Sequence, residues 1–240
     1  MNRPKVTGGL GSRPSALRVF LRENALSLIF ATLFVGALTA QAMVGHALFN
    51  QELTAAGQDP VTLWRYVSSS EFAVNVMENW QSEFLQFLLF ILATVWWVQR
   101  GSTESKPSDR RGRESDADQM VGEHARSTSP RWARARGWRL SLYSHSLGIV
   151  MGTVFLLSWL GQSLAGAVAY SHEQVREGQE AVTWLEYLAL PDFWDRTLQN
   201  WQSEFLAVLS MLLFTIYLRE RGSPESKPVG AAHDATGTEG

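Results

Sequence analysis

The sequence predicts an all-α integral membrane protein with four transmembrane helices, arranged as two tandem helical hairpins of one topology. The first observation is that four long stretches of the 240-residue chain contain no Asp, Glu, Lys or Arg: residues 25–45, 84–99, 140–171 and 205–218. A stretch of about 20 such residues can cross a hydrocarbon core of about 30 Å. The second observation is an internal repeat, which predicts that the same structural unit occurs twice.

The repeat is defined by a heptapeptide, Asn-Trp-Gln-Ser-Glu-Phe-Leu, which occurs at residues 79–85 and again 121 residues later (200 − 79). The same offset relates Arg100-Gly-Ser-Thr-Glu-Ser-Lys-Pro107 to Arg221-Gly-Ser-Pro-Glu-Ser-Lys-Pro228. Because each repeat contains two predicted spans, both hairpins should have the same orientation, related by an axis along the membrane normal. Other pairs at this offset are Gln41 and Gln162, Gly45 and Gly166, and Tyr66 and Tyr187.

The repeat and the composition together divide the chain into five segments. The two ends and the linker between the repeats are rich in small, polar or charged residues, a composition that predicts disorder. The predicted segments are a disordered cytoplasmic N-terminus (1–17), repeat one (18–107, with helices at about 22–46 and 71–99), a disordered cytoplasmic linker (108–138), repeat two (139–228, with helices at about 140–170 and 192–220) and a disordered tail (229–240).

The second apolar stretch of each repeat has only about 15 residues, which by itself favours a buried helix over a span. An amphipathic run precedes each stretch, from Glu71 and from Asp192, and extends each predicted helix to about 28 residues, or about 42 Å. Arg-Gly follows at Arg100 and at Arg221, so that a cation lies in the last turn and a glycine ends the helix. We therefore predict that both stretches are spans.

Basic residues are divided unequally between the two sides that this topology predicts. Of the 21 Lys and Arg residues, 18 lie in the termini and the linker, and only Arg65, Arg176 and Arg196 lie in the connections within the hairpins. The positive-inside rule therefore places both termini and the central linker in the cytoplasm, and the protein in the cell (cytoplasmic) membrane.

The first predicted helix also resembles a cleavable signal peptide. It has a basic flank, an apolar core and the small-residue sequence Ala40-Gln41-Ala42. The equivalent segment around Gln162 lies in the middle of the chain, where signal peptidase does not cut. We therefore expect the first helix to be retained as a span.

The heptapeptide places a carboxylate near the outer edge of the membrane in each repeat. Glu83 lies 17 residues before Arg100, which is about 25 Å along a helix. Asn79 lies on the same helix face as Glu83, at spacing i,i+4. A glutamine near the outer end of each repeat's first helix should lie at a similar depth. The candidate polar site comprises Gln41, Asn79, Glu83, Gln162, Asn200 and Glu204.

Three interpretations of this candidate site are open. The side chains hold helices together by interhelical hydrogen bonds, or they face interfacial water at a helix end, or they bind an ion, a proton or a small polar ligand where the hairpins meet. Trp80 and Trp201 are predicted to be interface anchors, because amphipathic indole rings favour the head-group level.

The sequence contains no catalytic motif. The five His residues occupy no repeat-equivalent positions and have no metal-ligand spacing. There is no GxSxG, P-loop or dinucleotide fingerprint. We therefore expect no enzyme activity, no cofactor and no metal site. The absence of Cys excludes disulfides from the outer connections.

The predicted partners follow from the membrane location. The lipid bilayer surrounds the helices, and the basic linker is positioned to contact anionic lipid head groups through Arg131, Arg134, Arg136 and Arg139. The candidate protein partners are a second copy of the chain, in a homo-oligomer, and an envelope protein that contacts the acidic outer connections. No nucleic acid is expected, because the basic linker is not accompanied by a fold that reads bases.

Four sequence strings point to a known family: Arg-Glu-Asn-Ala-Leu-Ser-Leu at 22–28, Gln41-xxx-Gly45, the heptapeptide, and Arg-Gly-Ser-x-Glu-Ser-Lys. With them the chain resembles an uncharacterised family of bacterial membrane proteins, a domain of unknown function, in two tandem copies. The resemblance implies a bacterial inner-membrane location and supplies no activity. We expect a multi-pass membrane protein with a structural or interaction role. The alternative is a small ion, proton or small-solute transport protein that uses Glu83 and Glu204.

Overall fold

The computed structural model describes residues 15–238, and this part of the chain contains helices and no strand. The predicted all-α class is confirmed. Residues 1–14, most of the predicted N-terminal segment, and residues 239–240 lie outside the described part. The helices are α1 (Ala16–Glu23), α2 (Ala25–Ala55), α3 (Leu63–Val67), α4 (Ser70–Trp96), α5 (Trp138–Ser144), α6 (Ser146–Arg176), α7 (Trp184–Tyr187) and α8 (Pro191–Tyr217).

The helix bounds recur at the offset of the sequence repeat. Helices α2 and α6 each contain 31 residues and begin 121 residues apart (146 − 25). Helices α4 and α8 each contain 27 residues and also begin 121 residues apart (191 − 70). The short helices α3 and α7 begin at the same offset (184 − 63). Equivalent stretches of sequence therefore adopt equivalent local structures.

The first long helix of each repeat extends further at its C-terminal end than the apolar pattern predicts. Helix α2 continues to Ala55 and helix α6 to Arg176, because the polar residues that follow each apolar stretch are compatible with a helix. Glycines with positive φ follow the two ends, Gly57 at 72° and Gly178 at 77°. This backbone conformation commonly ends helices.

A break divides the beginning of each repeat into a short and a long helix. It falls at Asn24 in repeat one and at His145 in repeat two. Asn24 Nδ2 donates to the Phe20 carbonyl at 2.9 Å, and His145 Nδ1 lies 2.8 Å from the Ser141 carbonyl. In both copies a polar side chain at the break bonds to the carbonyl of the preceding turn, and the predicted single helix is divided at this residue.

Two of the described helices, not the predicted four, are long and apolar enough to cross a membrane: α2 and α6. The other two predicted spans, α4 and α8, carry charged residues in their first halves, which lower their mean hydropathy. Length and composition alone therefore identify one candidate span in each repeat. The charged residues are Glu71, Glu78 and Glu83 in α4, and Asp192, Asp195, Arg196 and Glu204 in α8.

The chain forms two units, one that ends at Ser68 and one that begins at Ser69. In the first unit, Asn50 of α2 fixes the connection that leads to α3. Its Oδ1 accepts from the Val61 N–H at 2.8 Å, and its Nδ2 donates to the Val61 carbonyl at 3.0 Å. Tyr66 of α3 is buried against Gly45 of α2, where a side chain would collide with the tyrosine ring.

The second unit contains the equivalent connection, from α6 to α7. Ser171 Oγ donates to the Val182 carbonyl at 2.9 Å and accepts from the Val182 N–H at 3.1 Å. Tyr187 is buried against Gly166, where an added Cβ would lie 2.6 Å from the tyrosine Oη. The Gly–Tyr contact is therefore present in both repeats, and a short polar side chain fixes the connection in each.

In the second unit, α4 packs mainly against α6 and over a shorter stretch against α8. Small residues of α6 face large apolar residues of α4. A Cβ at Gly161 would lie 3.2 Å from Met77, and a Cβ at Gly152 would lie 3.6 Å from Leu88. Small residues let helix backbones approach closely, which is how membrane helices commonly associate.

The linker and the tail, which the composition predicts to be disordered, have defined turns in the structure. Arg134 donates to the carbonyls of Arg126 at 2.8 Å and Ser127 at 2.5 Å, and so ties two parts of the linker together. In the tail, the Gly237 N–H donates to the Ser102 carbonyl at 3.0 Å. The linker contains three 3₁₀ turns, Ser108–Arg110, Gly122–His124 and Arg131–Arg134.

Candidate functional site

The two copies of the heptapeptide meet where α4 lies against α8. Gln81 is fully buried, and its Oε1 accepts a hydrogen bond from Trp201 Nε1 at 2.7 Å. Its Nε2 donates to the Glu78 carbonyl at 3.1 Å. Trp201, predicted as an interface anchor, therefore uses its polar N–H inside the bundle. Trp80, the other predicted anchor, is half-buried on α4.

The contact between the two heptapeptides is asymmetric. Gln202 is the repeat equivalent of Gln81, but it is exposed on α8. Ser203 is likewise exposed, whereas its equivalent Ser82 is buried. Identical sequences therefore have different environments, because α4 packs along α6 as well as against α8, whereas the contact of α8 with α4 covers a shorter stretch.

The two predicted carboxylates belong to α4 and α8, which pack against each other. Ser82 Oγ lies 3.5 Å from Glu204 Oε1 and 2.9 Å from the Asn79 carbonyl, so the carbonyl is its stronger acceptor. Glu83 is exposed, and its negative charge lies close enough to repel that of Glu204. A cation or a proton between these two carboxylates would relieve their repulsion.

The two predicted asparagines bond to their own helices. Asn79 Nδ2 donates to the Asn75 carbonyl at 2.7 Å, and Asn200 Nδ2 donates to the Arg196 carbonyl at 2.8 Å. Both bonds have the i to i−4 geometry that short polar side chains make within a helix. Each asparagine therefore uses its Nδ2 within its own helix.

The two predicted glutamines have different environments. Gln162 of α6 is fully buried, and its Nε2 donates to Thr197 Oγ1 of α8 at 3.3 Å. Its Oε1 is buried without a hydrogen-bond partner. Buried carbonyl oxygens normally have one, so this oxygen is a place where a further donor would be favourable. Gln41 lies in the first unit, exposed on α2.

A charged network joins α4, α7 and α8 at the end of the bundle where α4 and α8 begin. Arg196 Nη1 lies 3.4 Å from Glu78 Oε2, and Arg196 Nε lies 3.3 Å from Asp192 Oδ2. Tyr187 Oη donates to Asp192 Oδ2 at 2.9 Å. Burial, and then the bond to Asp192, raise the pKa of the Tyr187 hydroxyl. One guanidinium therefore pairs with two carboxylates, one on α4 and one on α8.

Three tryptophans surround a recess of about 300 Å³ between α6, α7 and α8. Trp184 Nε1 donates to Ser163 Oγ at 3.1 Å, and Trp194 Nε1 donates to the Leu188 carbonyl at 3.0 Å. Trp159, whose ring stacks on Phe193 with centroids 6.1 Å apart, completes the wall. The lining is almost entirely apolar, so the recess suits a hydrocarbon group.

The second serine of each Arg-Gly-Ser-x-Glu-Ser-Lys string has the same structural role. Ser105 Oγ accepts from the Gln99 N–H at 2.8 Å, and Ser226 Oγ accepts from the Glu220 N–H at 2.9 Å. Both serines then donate to the carbonyl of the following lysine. Each string is therefore a turn that closes the end of its long helix, which explains the second serine of the motif.

The lysines of the two strings bind carbonyl groups of the segments that follow. Lys227 is buried, and its Nζ donates to Gly101 at 2.7 Å and to His233 at 2.9 Å, with two further tail carbonyls at 3.2 Å. Burial, and then the nearby Arg219, lower the pKa of the Lys227 ammonium. Because Gly101 belongs to the first string, this lysine connects both strings to the tail.

The residues that the sequence reasoning missed are mainly partners of residues that it named. Gln81 lies inside the heptapeptide, and its recurrence as Gln202 is a sequence signal that could have identified it. No sequence signal linked Thr197 to Gln162, because 35 residues separate them. Within residues 15–238, no three His, Asp or Glu side chains are grouped so that they could hold a metal ion.

Comparison with known proteins gives a family and no activity. No curated protein and no solved structure matches the chain. A family match extends from residue 17 to residue 238 as a single domain, so it covers both repeats, the linker and most of the tail. The chain belongs to this family, DUF6766, a domain of unknown function.

Proposed function

We propose that this protein is a four-span protein of the bacterial cytoplasmic membrane with a structural or interaction role, and that it is not an enzyme. The main support for the proposal is that two buried polar side chains form hydrogen bonds between helices. Gln81 binds Trp201 and Gln162 binds Thr197, so both connect helices of the bundle. Polar side chains that bond between helices stabilise a membrane bundle by about 0.6 kcal/mol each.

The packing of α4 supports its assignment as a span. Helix α6 is apolar enough to cross a membrane, and α4 lies along it. A helix that packs along a spanning helix lies in the same hydrocarbon layer. The charged residues of α4 lie at or before Glu83, which leaves residues 84–96 uncharged. Helix α8 has the same distribution, with residues 205–217 uncharged after Glu204.

Fusion of two copies of an ancestral hairpin accounts for the architecture. The equal helix lengths and the shared Gly–Tyr contact support this origin. Two hairpins of one topology put both termini and the linker on the same side, and the basic residues place that side in the cytoplasm.

The topology is tested by single cysteines, since the chain has none of its own. Three exposed positions suit this test. Gln58 and Gln179 are repeat equivalents in the connections predicted to lie outside the cytoplasm, and Ser127 lies in the linker, which is predicted to be cytoplasmic. A maleimide that cannot cross membranes should label Gln58→Cys and Gln179→Cys in spheroplasts, and should label Ser127→Cys only after lysis. Labelling of Gln58→Cys and Gln179→Cys on opposite sides would refute the parallel hairpins. Release of the protein from membranes by alkaline carbonate would refute the membrane assignment.

A second candidate function is transport of a proton or a small cation. It is favoured by the approach of the Glu83 and Glu204 charges, with Ser82 between the helices. The test is proton or cation flux in proteoliposomes with the wild type and with Glu83→Gln/Glu204→Gln. Flux that the double variant abolishes, and that the exposed outer variant Glu177→Gln retains, supports transport. Equal absence of flux in all three proteins contradicts it.

A further inference from the structure

The linker covers a cavity of the second unit that has a volume of about 960 Å³. The cavity lies at the end of the bundle where α4 ends and α6 begins. Its walls come from the last turns of α4, from the linker, and from α5 and the start of α6. Ligand-binding clefts in proteins have volumes of about 300–1,000 Å³, so the cavity has room for a sizeable ligand.

One side of the cavity is apolar and belongs to the helices. Leu92, Val95 and Trp96 of α4 contribute to it, together with Leu147 of α6. Leu92 and Trp96 are half exposed or more, although they belong to the apolar part of their helix. This side continues the surface that α4 presents to hydrocarbon in the proposed membrane arrangement, so an acyl chain can lie along it.

The opposite side of the cavity is charged and belongs to the linker. Two basic residues, Lys106 and Arg113, and two acidic residues, Glu114 and Asp116, line it. Lys106 Nζ lies 2.8 Å from Glu114 Oε1. The charged side is therefore balanced, with a cation and an anion available for a ligand that carries both signs.

Hydrogen bonds attach the linker to the C-terminal end of α4, so the cavity is a defined part of the fold. The Gly112 N–H donates to the Val95 carbonyl at 2.6 Å, and Lys106 Nζ donates to the Gly112 carbonyl at 3.3 Å. Gly112 has a φ of +96°, and a Cβ there would lie 3.2 Å from the Trp96 ring. A glycine is thus required where the linker crosses the end of α4.

A strained residue also faces this cavity. Met120 has a φ of 52°, the one positive value among the non-glycine residues of the described chain, and its side chain is a cavity wall. Strain of this kind is retained mainly where a function uses the side chain. A flexible thioether adapts well to a hydrocarbon chain.

We propose that this cavity binds a phospholipid with a zwitterionic, amine-bearing head group of the phosphoethanolamine type. The proposal rests on the membrane location given above. The lipid phosphate lies against Lys106 and Arg113, its ammonium lies against Asp116, and the first part of an acyl chain follows Leu92 and Trp96. The balanced charge of the linker side favours this head group over an anionic one, whose net charge Glu114 and Asp116 would repel.

The test measures lipid binding to the purified full-length protein in detergent by native mass spectrometry. Phosphatidylethanolamine and phosphatidylglycerol with the same acyl chains are titrated separately. The wild type should bind phosphatidylethanolamine about tenfold more tightly, which corresponds to a single well-placed charge contact. Asp116→Asn should remove most of this preference. Equal or tighter binding of phosphatidylglycerol by the wild type would overturn the proposal.

Two variants test the apolar side, with a control taken from the other repeat. Leu92→Trp fills the cavity and should weaken binding about tenfold. Leu213→Trp, at the equivalent position of α8, should leave binding unchanged. Met120→Gly relieves the strained φ, so it should keep or raise thermal stability while it weakens lipid binding. It is the second test of the cavity if Leu92→Trp does not fold. Equal effects of Leu92→Trp and Leu213→Trp would overturn the proposal. A protein that resists carbonate extraction but shows no head-group preference would refute the lipid site and leave the membrane assignment standing.

Discussion

Gln81 accepts a 2.7 Å hydrogen bond from the indole N–H of Trp201, and the two residues belong to different copies of one heptapeptide. The reciprocal glutamine, Gln202, is exposed on α8. The two identical heptapeptides therefore do not make the same contacts: the first glutamine bonds to the other helix, and the second is exposed. This difference allows each position to be tested against its own copy.

Gln81→Leu should destabilise the protein, because it removes the acceptor for Trp201 and leaves the indole N–H buried. The expected loss in the free energy of unfolding is about 1–2 kcal/mol. Thermal unfolding in detergent, followed by circular dichroism, measures it. Gln202→Leu is the matched control and should change the midpoint little. Equal effects of the two substitutions would show that the Gln81 bond adds nothing specific.

Gly166→Ala should also be destabilising, because the new Cβ would lie 2.6 Å from Tyr187 Oη and 2.8 Å from its ring. Tyr187 is almost fully buried and bonded to Asp192, so it cannot move away without further loss. Overpacking of this kind costs about 1–3 kcal/mol.

The control for this substitution is Gly36→Ala, since no atom lies within 4 Å of a Cβ built at Gly36. It should leave the unfolding midpoint the same or raise it slightly, because alanine favours a helix more than glycine does. A Gly166→Ala protein that unfolds at the wild-type temperature would contradict the close contact with Tyr187.

The sequence predicted the helical class well, because helix formation depends on local patterns. Gly45 and Tyr66 recur at the repeat offset as Gly166 and Tyr187, and each pair is in contact. The ends of the helices were less predictable. Helix α2 continues past His46 to Ala55, since leaving an apolar stretch does not require a helix to end.

The candidate site was less predictable, because it depends on which neighbouring helix packs over each residue. Bonds between helices were one of three open interpretations for Asn79 and Asn200, and both side chains bond to their own helix. Gln41 and Gln162 are equivalent in sequence, yet one is exposed and the other buried. Contacts between residues far apart in the chain leave no periodic signal in a single sequence.

Lys227→Met should release the tail from the first Arg-Gly-Ser-x-Glu-Ser-Lys string. The ammonium is bound by the carbonyls of Gly101, Ala232, His233 and Ala235, and methionine cannot donate to any of them. Hydrogen exchange of the tail amides should rise more than tenfold, which is the effect of losing about 1.4 kcal/mol of local stability.

The control for the tail is Lys106→Met, at the equivalent position of the first string. Lys106 binds Gly112 and Glu114 in the linker and makes no bond to the tail carbonyls that hold Lys227. Exchange should therefore rise in the linker and stay unchanged in the tail. Tail exchange that is the same in wild type and Lys227→Met would show that the ammonium does not hold it.

The first turn of α7 should respond to acid through Glu186. Its carboxylate accepts from the Thr183 N–H at 2.7 Å and from the Thr183 hydroxyl at 2.8 Å, in a capping box. The backbone bond, and then the hydroxyl bond, hold the pKa of Glu186 below its usual value. A carboxyl group with a lowered pKa in the folded protein stabilises it above the ordinary carboxyl pKa, and this contribution is lost as the pH falls through the lowered value.

Carboxyl titration by NMR should therefore give Glu186 a pKa below the ordinary value of a glutamate. Thr183→Ala removes the hydroxyl bond and should raise the pKa of Glu186 part of the way, since the backbone N–H remains. Amide exchange in α7 should increase on acidification in the wild type, and Glu186→Gln should make it less dependent on pH. The position offers an internal control, because Arg65 is its equivalent in α3 and cannot close a capping box there. If α7 and α3 lose protection equally on acidification, the Glu186 carboxylate does not stabilise the turn.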